Sequence, residues 1–153
     1  MEIPELIKNY LQEVKVMQLA TTRNNQPWAC SVHFVFDDKF NLYWMSTKER
    51  RHSREIIDNN LVAATIPIKY PVNPLVGISV EGGAEIVDRL QAQDLIKLYD
   101  DRFGLSDKFK SDYFMGTQAH ELFKLTPRLY VLYDEINFLE NPRQEWRPAG
   151  HTP

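Results

Sequence analysis

The residues best equipped for chemistry lie close together, in Ser46-Thr47-Lys48-Glu49-Arg50-Arg51-His52. Hydroxyls followed by two arginines and an imidazole, placed where an apolar strand gives way to a polar helix, suit the binding of a phosphate. The first backbone N–H groups of a helix have no intrahelical partner, and the helix dipole adds positive potential beside them. Arginine contributes a planar fork of donors that grips phosphate oxygens in pairs. His52 can act as a neutral donor, or as a cation where a phosphate raises its pKa. Plainer roles compete: a solvated helix face for Arg50 and Arg51, a helix cap for Ser46 and Thr47, and packing against the sheet for His52, four residues before Ile56. The cations stand directly after the hydroxyl pair, which favours phosphate.

A second group lies upstream. From Trp28 to Phe36 the chain alternates, with Trp28, Cys30, Val32, Phe34 and Phe36 on an apolar face and Ala29, Ser31, His33 and Val35 on a mixed one. A ligand is expected on the mixed face, where His33 can approach it, although a structural role for this imidazole carries more weight. Cys30 shares the apolar face, and a buried thiol is usually inert, so it is not expected to be a nucleophile. His33, His52, His120 and His151 show no metal-binding spacing and no HExxH is present, so no metal is expected.

Placing these groups requires a sheet and a few helices. Ile3, Leu6, Ile7, Tyr10, Leu11 and Val14 recur at helical spacing with Pro4 in the first turn, which predicts an amphipathic cap helix. Val16 to Thr22 reads as a strand, Asn24-Asn25-Gln26-Pro27 as a turn, and Trp28 to Phe36 as the returning strand. Asp37-Asp38-Lys39 leads into a third strand, Phe40 to Met45. Ser46 stands three residues before Glu49, so a capping box is expected to start the polar helix near Thr47. Then come a strand from Leu61 to Ile66, a loop broken by Pro67, Pro71 and Pro74, and a long strand from Leu75 to Val87 bent by a bulge at Gly82-Gly83. Asp88 and Gln91 form a second candidate box before a helix with the stripe Ala92, Leu95, Ile96, Tyr99 and Phe103. Leu122 to Tyr133 reads as a late strand, with Pro127 expected at an edge or bulge. Roughly six strands and three helices, the first three strands joined by tight turns, predict a mainly β protein built as an antiparallel barrel with peripheral helices. A doubly wound parallel sheet is disfavoured, because regular strand–helix alternation, a GxGxxG turn and a P-loop are all missing.

A chain of 153 residues can bury one core without staples, which predicts a single domain over 1–140 and a polar, Pro-rich tail over 141–153. With 25% charged residues and a net charge of −3, it is no basic coat for nucleic acid. Cys30 is the only cysteine, so neither an intrachain disulfide nor a cysteine zinc cluster can form. Glu2, Glu5 and Lys8 interrupt the apolar N-terminus, and no apolar run approaches membrane-spanning length. A cytoplasmic protein with no membrane partner is expected.

Taken together, Gln26-Pro27-Trp28-Ala29-Cys30-Ser31, Tyr43-Trp44-Met45-Ser46-Thr47, Arg51-His52 and Asn59-Asn60-Leu61-Val62-Ala63 resemble the pyridoxamine 5'-phosphate oxidase-like family of FMN-binding split barrels. His120 to Asp134 is similar to the family's last barrel strand. The resemblance implies a six-stranded antiparallel split β-barrel of the FMN-binding type and a homodimer with sites at the subunit interface. It implies an FMN phosphate held by Ser46, Thr47, Arg50, Arg51 and His52. The flavin ring would lie along the strand carrying Ser31, Val32 and His33, met largely by backbone groups. Cys30 stands where the oxidases proper place an arginine, His52 where they place a lysine, and Gly77 at about the place of their flavin-contacting glutamine. Their C-terminal Arg-x-His signature is replaced by Gln144-Glu145-Trp146-Arg147-Pro148. Vitamin B6 oxidation is therefore not the favoured activity, and the chain is closer to the small flavoprotein branch of the family. The implied function is an FMN-dependent oxidoreductase acting on an unidentified small-molecule substrate or electron donor, with no catalytic acid or base named. The alternatives are an F420-dependent reductase of the same fold and a non-catalytic carrier or sensor of flavin or haem.

Overall fold

The structure is a computed structural model that describes residues 1–149; His151 and the rest of the tail from 150 lie outside the described residues. Helix α1 (Ile3–Glu13) starts with a reciprocal capping box between Glu2 and Glu5, and buries Leu6, Ile7, Tyr10 and Leu11. Strands β1 (Val16–Arg23) and β2 (Gln26–His33) form the expected hairpin. The short β3 (Val35–Phe36) pairs with β4 (Leu42–Thr47), which leads to helix α2 (Arg51–Asp58). Strands β5 (Leu61–Lys69) and β6 (Val76–Ile86) follow, then helices α3 (Gln93–Phe103) and α4 (Asp107–Met115). The long β7 (His120–Asp134) and the short β8 (Arg143–Trp146) complete the sheet.

All eight strands belong to one antiparallel sheet in the order β2-β1-β5-β6-β7-β4-β3, with β8 added to β7. The sheet curls into a half-barrel that stays open, since β2 and β3 end the order and β2 approaches β4 without pairing to it. Inside the curl, Leu19, Phe34, Ile66, Ile78 and Tyr130 pack with Ile7 and Leu11 of α1, and Trp44 stacks on Phe123. A second apolar cluster joins Tyr43 and Leu122 to Ile96 and Tyr99 of α3 and Tyr113 of α4. Among the described residues no helix is long and apolar enough to cross a membrane.

The mainly β split barrel with peripheral helices is as expected, and the differences have local causes. The strand expected from Trp28 to Phe36 divides at Phe34, because its first part pairs with β1 and its second with β4. Residues 143–146, expected in the polar tail, join the sheet as β8 opposite Tyr130 to Tyr133. These changes raise the expected six strands to eight. The unexpected α4 buries only Tyr113, too little to leave an apolar stripe in the sequence, but Ser106 caps its start and the left-handed Gly116 ends it. Asp88 caps a single 3-10 turn, Arg89–Gln91, in place of a capping box on α3.

The Gly82-Gly83 and Pro127 signals meet at one irregularity. Glu81 pairs with Leu129 and Gly82 with Pro127, so Arg128 is the extra residue and the bulge lies on β7. Pro127 is accommodated between the last partner of β7 on β4, opposite Leu125, and its first on β8, opposite Tyr130. A Cβ at Gly82 would lie 2.0 Å from the Thr126 carbonyl oxygen, whereas one at Gly83 would meet nothing nearer than 3.7 Å. Gly82→Ala should therefore lower the unfolding free energy by about 1–3 kcal/mol in urea titration, with Gly83→Ala changing it by less than about 1 kcal/mol.

Candidate cofactor and anion site

The β1–β2 hairpin decides which backbone groups face the opening of the barrel. Asn24 and Asn25 both have positive φ (51° and 60°), so Arg23 and Gln26 flank a two-residue type I′ turn and exchange hydrogen bonds. Alternation along the pair then ties Trp28, Cys30 and Val32 to β1, a parity that the Phe34 N–H to Lys15 carbonyl bond (3.0 Å) continues. The N–H and C=O groups of Ala29, Ser31 and His33 consequently point off the free edge of β2. This arrangement divides the expected ring-lining residues. Ser31 and His33 offer backbone groups there, while Val32 is bound to β1 through its backbone and offers only a half-buried side chain. The exposed His33 ring packs 5.0 Å from Phe103 of α3.

The start of α2 also departs from expectation. Thr47 accepts from Arg50 N–H (3.3 Å) in a turn, Arg50 is the N-cap residue, and the helix begins at Arg51 rather than near Thr47. Ser46 is buried and reaches only the Thr47 carbonyl (3.4 Å), so no Ser46–Glu49 capping box forms. No side chain caps α2, which leaves its first N–H groups to solvent or an anion, with Arg50 and Arg51 exposed beside them.

Two of the expected phosphate ligands have other engagements. His52 is buried against β2, with Nδ1 3.4 Å from Cys30 Sγ and Nε2 lacking any hydrogen-bond partner among the described residues. Burial, aided by the charge of Arg50, holds its pKa below the ordinary 6.5, while Glu55 opposes the shift. Burial and Glu55 push the Cys30 thiol up. Burial thus favours the neutral forms of both the Cys30 thiol and the His52 imidazole. Arg51 donates from Nε to Glu55 Oε2 (2.7 Å), and its guanidinium carbon lies 4.0 Å from the Trp28 ring centroid. Glu55 is buried and accepts a second bond from Thr21 Oγ1 (3.0 Å). The Arg51 bond, helped by Thr21, holds its carboxyl below the usual range against desolvation. Sequence reading missed Thr21, Trp28 and Glu55, and only the four-residue spacing of Arg51 and Glu55 pointed to any of them.

At Gly77, the residue expected near the place of the oxidases' glutamine, a Cβ would lie 2.6 Å from the Tyr70 hydroxyl. The Tyr70 ring occupies the space that a side chain at 77 would need. Among the described residues no group of three or more His, Cys, Asp or Glu is placed to hold a metal ion.

A curled antiparallel sheet left open along one edge, with helices around it, defines a split-barrel protein. The chain belongs to the pyridoxamine 5'-phosphate oxidase family, whose profile matches residues 3–130. A curated relative, the UPF0306 protein PM1958 of Pasteurella multocida, is 31% identical over 96 residues, which cover 61% of this chain and 64% of that one. The match thus spans less than two thirds of the relative's length. General Stress Protein 26 of Bacillus anthracis superposes with a TM-score of 0.69 at 20% identity, covering 96% of this chain and 99% of that one. The heme storage protein HutZ of Vibrio cholerae gives 0.61 at 22% identity, covering 83% and 91%. At such identities the likeness is one of fold.

The lowered pKa of His52 has a consequence for stability. Near and below pH 6.5 the unfolded chain takes up a proton that the folded imidazole resists, so this contribution is whole above pH 6.5 and is lost as pH falls toward the folded value. Glu55 behaves alike in a lower window, below 4.5. The urea midpoint should therefore fall between about pH 7 and about pH 5.5, and His52→Gln should flatten that fall.

Proposed function

We propose that this protein is a cytoplasmic FMN-binding flavoprotein that works as a homodimer and transfers electrons or hydride to or from a small molecule. The observation that carries this reading is the free edge of β2 lying beside the uncapped, arginine-bearing start of α2. A flavin ring needs donors and acceptors in one plane, and Ser31 and His33 present them as fixed backbone groups. A phosphate needs N–H groups and cations, which the first turn of α2, Arg50 and Arg51 supply. Ser46 and Thr47 shape the approach from the end of β4, and His52 contributes only as a neutral group through its unpartnered Nε2. When bound, FMN would supply the redox chemistry, and the protein would hold and orient it.

The outer face of the sheet supports the homodimer. Ser31, Gln18, Thr65 and Ser79 form one row across four strands, and Ala29, Ala20, Ala63 and Glu81 form the next. None of these residues is buried, and most are small. Small side chains of this kind let a second sheet approach closely.

A second reading is haem binding without turnover. It draws on the exposed imidazole of His33 at the open edge and on the heme storage role named for HutZ. The absorption spectrum of protein as isolated separates the two, because haem adds a Soret band.

Titration with FMN, followed by flavin fluorescence, should show saturable binding, and light scattering should give twice the monomer mass. Replacing Arg50 and Arg51 together by alanine should weaken FMN binding about tenfold or more. Absence of binding by both the isolated and the refolded flavin-free protein would overturn the proposal.

A further inference from the structure

Strand β3 has a free edge on the side away from β4. Asp37 N–H donates to the Asn41 carbonyl (3.2 Å), and Val35 and Phe36 lie opposite Tyr43 and Leu42, so alternation turns the backbone groups of Val35 and Asp37 toward β4. The N–H and C=O of Phe36 consequently point the other way, toward the line that β1 would follow if it extended back beyond Val16. Among the described residues no strand takes that line. Phe34 N–H still reaches the Lys15 carbonyl (3.0 Å), but one residue earlier, at Val14, the chain already belongs to the C-terminal cap of α1. Neither backbone group of Phe36 has a hydrogen-bond partner among the described residues.

The open strand position is a cavity of about 400 Å³, walled by Lys8 and Gln12 of α1, Val35 and Phe36 of β3, and Leu98 and Arg102 of α3. Val35 and Phe36 point to opposite faces of the sheet, so a cavity that touches both lies off the edge of the strand. Its charges are uneven. Asp38, at one end, is paired with Lys8 (2.9 Å), and Asp101 with Lys97 (2.7 Å), whereas Arg102 has no carboxylate partner among the described residues. Arg102 donates from Nη2 to the carbonyls of Leu11 and Val14 and lies over the Phe34 ring, which fixes it at the Phe34 end with Nη1 left over. An extended chain added to this edge in the antiparallel sense would run from Asp38 toward Arg102. Its last amide N–H would donate to the Phe36 carbonyl, and its terminal carboxylate would accept from the Phe36 N–H and from Arg102. Asp38 is exposed, so the rest of such a chain leaves to solvent. We propose that this gap binds the C-terminus of an extended peptide, on the edge opposite to the one that Ser31 and His33 present to the cofactor. A free carboxylate preceded by an amide is common to short free peptides and to protein tails.

The test is an NMR titration of the isotope-labelled protein, as isolated, with acetyl-Ala-Ala-Leu, with its C-terminal amide and with the acid N-methylated at leucine. The acid should bind with a dissociation constant below about 1 mM, shift the Phe36 amide and slow its exchange with solvent. The amide and the N-methylated acid should each bind about tenfold more weakly, the first for want of the carboxylate and the second for want of the N–H. Arg102→Gln should weaken the acid about tenfold as well. If circular dichroism shows that this variant does not fold, the two control peptides on wild type decide the matter. The same tripeptide carried at the end of an unrelated folded protein separates the sources: equal or tighter binding identifies protein tails, and weaker binding identifies short free peptides; either supports the site. The proposal is overturned if the acid leaves Phe36 unshifted at about 10 mM, if either control peptide binds as tightly, or if folded Arg102→Gln binds the acid unchanged. Shifts confined to α2 and the Ser31 edge would also overturn it, by placing the peptide in the cofactor site. Because the readout lies on β3, failure of the FMN reading leaves this outcome readable.

Discussion

Glu55 is a carboxylate almost removed from water, and that position is tolerable only because Thr21 and Arg51 bond both of its oxygens. The consequence is geometric. One bond reaches back to β1 and the other along α2, so the carboxylate pins the helix across the hairpin. Arg51, thus anchored, lies over Trp28 on β2, and His52 turns inward to Cys30. The free edge of β2 and the first turn of α2 come together because this one charge is satisfied in this one way.

Farther along the barrel a second buried carboxylate does similar work. Asp134, at the end of β7, accepts from Tyr10 of α1 (2.8 Å) and from the Asn137 side chain (2.7 Å), and takes backbone N–H groups from Ile136 and Asn137. Burial alone would raise its pKa, yet these donors hold it below the usual range. The cap helix is therefore tied to the sheet by a charge that stays ionised as well as by the apolar contacts of Ile7 and Leu11.

The sheet was legible where one physical signal acted alone. Alternation marked β2, helical spacing marked α1, and Asn24-Asn25 announced the hairpin. The site was less legible because its contacts cross between elements. His52 was open to phosphate binding and to packing, and its four-residue relation to Ile56 pointed to the buried position it takes. Ser46 and Glu49 had the spacing of a capping box, but the turn from Thr47 to Arg50 moves the helix start beyond them. Trp28 and Thr21, paired across the hairpin, gave no sign of meeting Arg51 and Glu55, since nothing local links the hairpin to a helix that follows β4. Pro127 and Gly82 did show their place, because each carries a backbone demand that only a bulge meets.

The length of the β1–β2 turn carries more than the shape of a surface loop. With two residues in the turn, the backbone groups of Ala29, Ser31 and His33 face outward; inserting one residue would shift the pairing and offer those of Trp28, Cys30 and Val32 instead. The side chains would exchange faces at the same step, taking the Trp28 indole off the face where it meets Arg51 and turning Ser31 toward the core. Among descendants of this chain, insertions should thus be tolerated in the proline-broken stretch between β5 and β6 and purged at Asn24-Asn25, a tip that touches no catalytic atom yet sets the reading frame of the edge behind it.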